Sequence, residues 1–387
     1  MYRAGKKEID AIAKVIRSGK LFRYHDQSEC GRFEKRYADY LGARYVHQTA
    51  SGTHALTAAL IGVGVGPGDE VAVPAHTYMA TAIAVLACGA IPIIVDIDES
   101  VTINPEALED AIGPQTRAVI PVHMWGLVCD MRAIMRIARK HKLLVIEDAC
   151  QCVGGAYRGR KVGTIGDAGA YSFNYFKNMT CGEGGAVVTR NRKTSQRARC
   201  AIDSCGFYWT GRKHDEQPFA SNGARASEIE GAMMNAQLDR IDSFTRPMRK
   251  QKARVTKAAA KAGLCIAPAH SPDDECGMMN VFQLPDAKAA ETFAGRVGGV
   301  IAGRTGRHTF TEWDQVLSKR GAHHPALDPY KLPANRRCRR TYPKSLCRTS
   351  LDILARTVMV ANHPDRKATQ VTELIRKITD AAEEVLA

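Results

Sequence analysis

Short apolar runs alternate with helical patterns from residue 43 to residue 189, and this alternation restricts the fold more than any other feature of the chain. The spacing predicts strands over 43–48, 70–73, 93–95, 118–122, 143–147, 168–173 and 185–189. Helical patterns fall between them, opening at Ser51 and covering 80–86, 105–112 and 131–141. Such alternation is the pattern of a mostly parallel sheet covered on both faces. We therefore expect an α/β fold with a seven-stranded, mostly parallel sheet between helices. Two helices precede it, over 6–17 and 30–41, the second closed by Gly42. Past residue 240 the elements are shorter and punctuated by proline, between a basic helix over 248–262 and a last helix over 368–385. The chain of 387 residues is long enough for two domains. We expect a large one over 1–240 and a smaller C-terminal α/β domain over 241–387.

Ligands of such sheets bind beyond the carboxyl ends of the strands. There the run Val145-Ile146-Glu147 ends in Asp148, and Lys177 lies in the polar, Gly-flanked loop before Gly182-Glu183-Gly184-Gly185. A loop lysine and a strand-end aspartate suit pyridoxal 5′-phosphate (PLP). The amine forms a Schiff base (aldimine), and the aspartate keeps the pyridine nitrogen protonated so that the ring acts as an electron sink. Ser51-Gly52-Thr53, just before a helix, is a phosphate seat, although alone it also reads as an ordinary N-cap. Ser172 offers a second hydroxyl to the same phosphate. Tyr78 follows a strand, and its ring would either stack on the cofactor or pack in the core. Gln151, three residues past Asp148, would reach the ring hydroxyl or lie on the surface. His123 also follows a strand and is expected to share the pocket with Asp148 and Tyr78.

The order of these elements resembles the DegT–StrS group of PLP-dependent sugar and cyclitol aminotransferases, of aspartate-aminotransferase-like fold (fold type I). The resemblance rests on Ser51-Gly52-Thr53, Gly66-Pro67-Gly68-Asp69-Glu70-Val71, Pro121-Val122-His123, Glu147-Asp148-Ala149-Cys150-Gln151, Gly163-Thr164-Ile165-Gly166-Asp167 and Gly182-Glu183-Gly184-Gly185. It is dense over residues 5–240 and continues weakly to Asn362-His363-Pro364-Asp365. It implies that Lys177 carries the cofactor and shuttles the proton, with Asp148 on the ring nitrogen, Tyr78 on the ring face and Gln151 on the ring oxygen. Gly52, Thr53 and Ser172 would hold the phosphate. It also implies a homodimer with shared active sites, in which an asparagine of the partner reaches that phosphate. Here the chain departs. The position two before Arg225 is Gly223, Asn222 is one position off, and Ala226 replaces a larger residue. Asn222 is the candidate for that contact.

The resemblance implies transfer of an amino group from glutamate or glutamine to a keto-sugar, keto-cyclitol or related biosynthetic ketone, through the pyridoxamine form. A rival is a related PLP enzyme recruited to elimination, dehydration, replacement or cyclisation on an amino acid or amino sugar. Retained Lys177 argues against the sugar-dehydratase branch, while the 207–226 segment leaves room for a different substrate. The net charge of +15 is the only support for a nucleic-acid-binding role. Its densest clusters, Arg336-Arg337-Cys338-Arg339-Arg340 and Arg190 through Arg199, lack interleaved aromatics. The twelve cysteines are scattered, without finger spacing for zinc, and are expected to be mostly reduced and buried. No apolar run approaches the roughly 20 residues of a membrane span, and the N-terminal residues lack a signal-peptide core. A cytoplasmic protein is expected.

Overall fold

The computed structural model describes residues 4–209, 211 and 215–386. Thr210 and residues 212–214 of the 207–226 segment lie outside the described residues, as do residues 1–3. The predicted sheet is present with all seven strands, in the order 45–49, 185–189, 168–172, 144–148, 116–119, 70–74, 91–95. Strands 144–148, 116–119, 70–74 and 91–95 pair in parallel, and 168–172 joins them in parallel. Only Gly185–Thr189 runs against the rest, antiparallel to both of its neighbours. Its reversal follows from the short excursion after Ser172: the chain turns through the Lys177 loop and comes straight back, with no room for a crossover helix. Strands 70–74, 91–95, 168–172 and 185–189 are buried along their whole length. That explains why they read as continuous apolar runs.

The chain past residue 240 forms a second, antiparallel sheet in the order 265–266, 279–283, 357–361, 300–301. Phe282, Phe293, Val358 and Ile378 are buried in its own core. The segment between its third and last strands returns to the large sheet, where Phe310, Trp313, Tyr330 and Cys347 join the main core. This return carries residues 305–308 toward the carboxyl ends of the large sheet.

The strand expected over 118–122 spans Thr116–Val119, and the start of one helix also needs correction. The long helix begins at Ile241 and runs to Lys261, not from 248. Pro247 suggested a start after it, because proline removes a hydrogen bond inside a helix. Ile241, Phe244, Thr245 and Met248 are all buried on that first stretch, and their packing outweighs the lost bond. The basic clusters are also partly committed to structure. Arg339 pairs with the buried Glu70, Arg340 donates to Tyr330 O, and Arg190 donates to Gly42 O. The twelve cysteines are free, and most are buried, with Cys205 and Cys265 exposed. No helix among the described residues is long and apolar enough to cross a membrane.

Candidate active site

Adjacent strands bring the site together. Asp148 is the last residue of Leu144–Asp148, and Ser172 the last of Ala168–Ser172, with Asp148 opposite Ala170. The helix Gly52–Val63 starts against both strand ends. Ser51 Oγ accepts from His54 N at 3.1 Å and caps it. The first N–H groups of a helix have no partner within it, so those of Gly52 and Thr53 remain for a ligand at its positive end. Gly52 permits the close approach: a Cβ there would lie 2.6 Å from Ser172 Cβ. The outcome is a seat for an anion made of Ser51, Gly52, Thr53 and Ser172, which line one cavity.

Asp148 is 5% exposed. Its Oδ1 accepts from Cys150 N at 3.1 Å and its Oδ2 from Thr81 Oγ1 at 2.9 Å. Lys177 is half-buried on a loop pinned at several points. Lys177 N donates to Asn174 O at 3.0 Å, Asn178 Nδ2 to Val153 O at 3.1 Å, and Thr180 Oγ1 to Phe173 O at 3.1 Å. Such pinning holds a side chain to a small region of space.

Two cavities adjoin at this lysine. The inner one, of about 220 Å³, is lined by the anion seat, Thr81, Asp148 and Glu183. The outer one, of about 420 Å³, is lined by Trp125, Met278, Met279, Arg307 and His308 with the exposed Tyr175 and Phe176. Tyr78, Cys150, Gln151, Asn174 and Lys177 line both. The predicted residues Gly52, Thr53, Tyr78, Asp148, Gln151, Ser172 and Lys177 are therefore gathered in one place. An amine, a buried carboxylate and an anion seat around a cavity can hold a phosphorylated carbonyl compound with a basic ring nitrogen.

Two other residues are placed differently. His123 is wholly buried and does not line the cavity. Its Nδ1 accepts from Cys129 N at 3.2 Å, so its Nε2–H faces Glu147 Oε2, also at 3.2 Å. Glu147 further accepts from the backbone N–H groups of Gly163, Ile165 and Gly166. Following a strand end did not suffice to put His123 in the site, because side chains alternate across a strand and its neighbours. Asn222 is exposed and lines a neighbouring cleft that shares Ser51 and Thr53 with the inner cavity. Within one chain it stands outside the site, on its outer rim.

Sequence reasoning missed the outer half. Trp125 adopts a left-handed backbone, φ 49° and ψ 31°. That conformation costs a bulky residue about 1–2 kcal/mol and marks positions held for a purpose. Its indole packs edge-on between His76 and His308, at 4.7 and 5.2 Å between ring centres. Burial pushes the His308 imidazole down to about 3, and the nearby His76, Arg307 and Lys177 act in the same direction. His308 is therefore neutral at physiological pH. Arg307 has its guanidinium over the Phe176 ring at 5.9 Å and forms no ion pair among the described residues. Among the described residues no carboxylate lines the outer cavity, and Lys177 and Arg307 are its two cations. No family motif marked Trp125, Arg307 or His308. A basic pair in a Gly-flanked stretch, Arg304 to His308, was the only hint.

Residues 3–293 match the model of the DegT/DnrJ/EryC1/StrS aminotransferase family. The chain is 39% identical over 244 residues to GDP-perosamine synthase of Caulobacter vibrioides, covering 62% of this chain and 64% of that protein. It is 36% identical over 267 residues to L-glutamine:2-deoxy-scyllo-inosose aminotransferase of Streptomyces fradiae, covering 66% and 63%. These matches thus span just under two thirds of the relatives' own lengths. Among solved structures, S. venezuelae DesV superposes with a TM-score of 0.74 at 28% identity, covering 97% of this chain and 94% of that one. The match over most of its length places the chain in a family: it belongs to the DegT/DnrJ/EryC1/StrS aminotransferases.

Proposed function

We propose that the chain is a PLP-dependent aminotransferase that takes an amino group from glutamate or glutamine and gives it to a keto-sugar, keto-cyclitol or related ketone. The observation that carries this reading is the meeting of the two cavities at Lys177. The inner half fits the cofactor. Its anion seat matches a phosphate, the buried Asp148 a cationic ring nitrogen, and Lys177 an aldehyde. A side chain at position 52 would fill that cradle. The outer half is open to a substrate beside the same amine.

When bound, PLP supplies an electron sink that makes the α-proton of an amino acid removable. The chain's own residues do the rest. Gly52, Thr53 and Ser172 hold the phosphate, Tyr78 and Gln151 fix the ring, and Asp148 pairs with its nitrogen. Lys177 Nζ, once free, removes the proton from the donor's α-carbon. With the ketone bound, it delivers a proton to the carbon that receives the amino group. Trp125 and the Met278–Met279 pair narrow the outer cavity and exclude water. The ketone reading is supported by the relatives, which act on nucleotide-linked sugars and on inososes by their names.

Two further readings belong here. We take residues 1–240 and 241–387 as a large and a small domain. We also take the working form to be a homodimer. Ile9, Ile16, Leu21, Phe22, Tyr208 and Trp209 are large apolar side chains left exposed on one chain, and Asn222, exposed beside this chain's own anion seat, is the residue that the family resemblance would bring to a partner's cofactor phosphate.

The test uses purified protein loaded with PLP. Added glutamate or glutamine should abolish the visible absorbance, and a ketone acceptor should restore it. Return of the band with no ketone of a sugar and cyclitol panel, together with release of ammonia and a keto acid from an amino acid alone, would instead favour elimination.

A further inference from the structure

Helical threonines in this chain usually turn their hydroxyls back onto their own helix. Thr57 donates to Thr53 O, Thr245 to Ile241 O, Thr292 to Lys288 O and Thr372 to Ala368 O. This local bond is the ordinary resting place of such a hydroxyl. Thr81, second residue of the helix Ala80–Ala87, does otherwise. It is 1% exposed, and its hydroxyl reaches across to the Oδ2 of Asp148 at 2.9 Å. Thr77, also 1% exposed, stands behind it, with the two hydroxyl oxygens 2.8 Å apart.

The chemistry fixes the direction of both bonds. An ionised carboxylate only accepts, so Thr81 spends its single hydrogen on Asp148. The Thr77–Thr81 contact must then be donated by Thr77, whose single hydrogen has a second acceptor in Tyr78 O at 3.4 Å but a much nearer one in Thr81 Oγ1 at 2.8 Å. The result is a one-way chain of hydroxyls, Thr77 to Thr81 to Asp148, in which each bond polarises the next. The other oxygen of Asp148 takes the Cys150 N–H. Each carboxylate oxygen thus has one fixed donor and a lone pair left for the cavity.

We propose that Thr81, backed by Thr77, is a positioning residue that aims the Asp148 carboxylate and keeps the proton shared with a bound pyridine ring on the ring nitrogen. This rests on the PLP reading given above. The equilibrium concerned moves one proton and no electrons. The pair is either carboxylate with protonated ring nitrogen, or carboxylic acid with neutral ring nitrogen. Donors to the carboxylate stabilise its charged form and hence the first arrangement. Only a protonated ring draws electrons strongly from the bond to be broken. Removal of the Thr81 donor shifts the pair toward the second arrangement by about tenfold or more, as expected for a hydrogen bond to a charged group.

The test loads the protein with PLP carrying an isotope-labelled ring nitrogen and reads that nitrogen by NMR. Wild type and Thr81→Ser should show the protonated position. Thr81→Val should move toward the neutral one, and Thr77→Val should move the same way by less. In turnover, Thr81→Val should lose about tenfold in kcat with the donor KM little changed. An unmoved resonance in loaded Thr81→Val overturns the proposal. So does a Thr81→Ser resonance displaced as far as that of Thr81→Val, because packing rather than the donor would then be at fault. Should Thr81→Val not fold, Thr77→Val carries the test, since it never touches Asp148; an unmoved resonance there also refutes the relay. Failure of the wild type to bind PLP would instead refute the functional reading.

Discussion

Substituting alanine for Gly52 should loosen the anion seat without touching any charged group. A methyl at this position would lie 2.6 Å from Ser172 Cβ and 3.1 Å from Cys150 Sγ. Carbon atoms pack at about 3.5–4.0 Å, so the helix start and the strand end must part by about 1 Å. Neither neighbour is the tip of a flexible side chain, and both are buried. Overpacking of this kind costs about 1–3 kcal/mol. Removing glycine from a helix returns about 1 kcal/mol, leaving a net loss of up to about 2 kcal/mol. The displacement falls on the groups proposed to receive the phosphate, so PLP affinity should drop about tenfold, the equivalent of about 1.4 kcal/mol. Denaturant unfolding of the apoprotein measures the first quantity, and equilibrium dialysis with PLP the second. The double variant with Ser172→Gly removes the opposing Cβ. In a double-mutant cycle it should show a favourable coupling of about 1 kcal/mol or more. If Gly52→Ala unfolds and binds PLP like wild type, the helix and strand are not packed as tightly as described, and the account of the seat is wrong.

Three other outcomes follow from the same geometry. Glu147→Gln puts an amide N–H among four donors, His123 Nε2 and the N–H groups of Gly163, Ile165 and Gly166. It should destabilise the protein by about 2–4 kcal/mol by unfolding; a loss below 1 kcal/mol would contradict the buried anchor. Burial holds His47 and His76 down at about 4, below their unfolded value of about 6.5. The unfolded chain then binds more protons between these values. Their contribution is complete above about pH 6.5 and is lost as pH falls toward 4, with a slope of about 1.4 kcal/mol per unit for each residue. His47→Gln should flatten that slope in pH-dependent unfolding; an unchanged slope refutes the assignment. Arg307→Ala should raise the KM for a donor bearing a carboxylate about fivefold, the scale of a partly exposed charge pair, with kcat held nearer to wild type. No change for either substrate would remove Arg307 from substrate binding.

The inner cavity, where we propose the cofactor binds, was legible because its parts are local in sequence. Ser51-Gly52-Thr53, Asp148 with Gln151, and Ser172 with Lys177 each sit at the end of a strand whose apolar pattern announces it. The sheet was legible for the same reason, since its buried strands read as unbroken apolar runs. The outer half was not. Trp125 depends on a left-handed turn, and Arg307 and His308 on a long return from the second sheet, neither of which has a periodic signature. His123 shared its strand-end position with Asp148 but faces into the core, a difference of side-chain direction that spacing alone did not resolve. Thr81 was hidden inside a predicted helix, although Thr77 and Thr81 stand one turn apart immediately after a strand end. Pro247 misled because burial of its neighbours overrides a local rule.

If Lys177 binds PLP as proposed, the bond can be trapped on that residue. Protein loaded with PLP can be reduced with borohydride, digested and mapped by mass spectrometry. One stable pyridoxyl modification is expected, on the peptide carrying Lys177, and none on that peptide in Lys177→Ala. A stable modification on another lysine, or none with PLP in excess, would contradict this assignment.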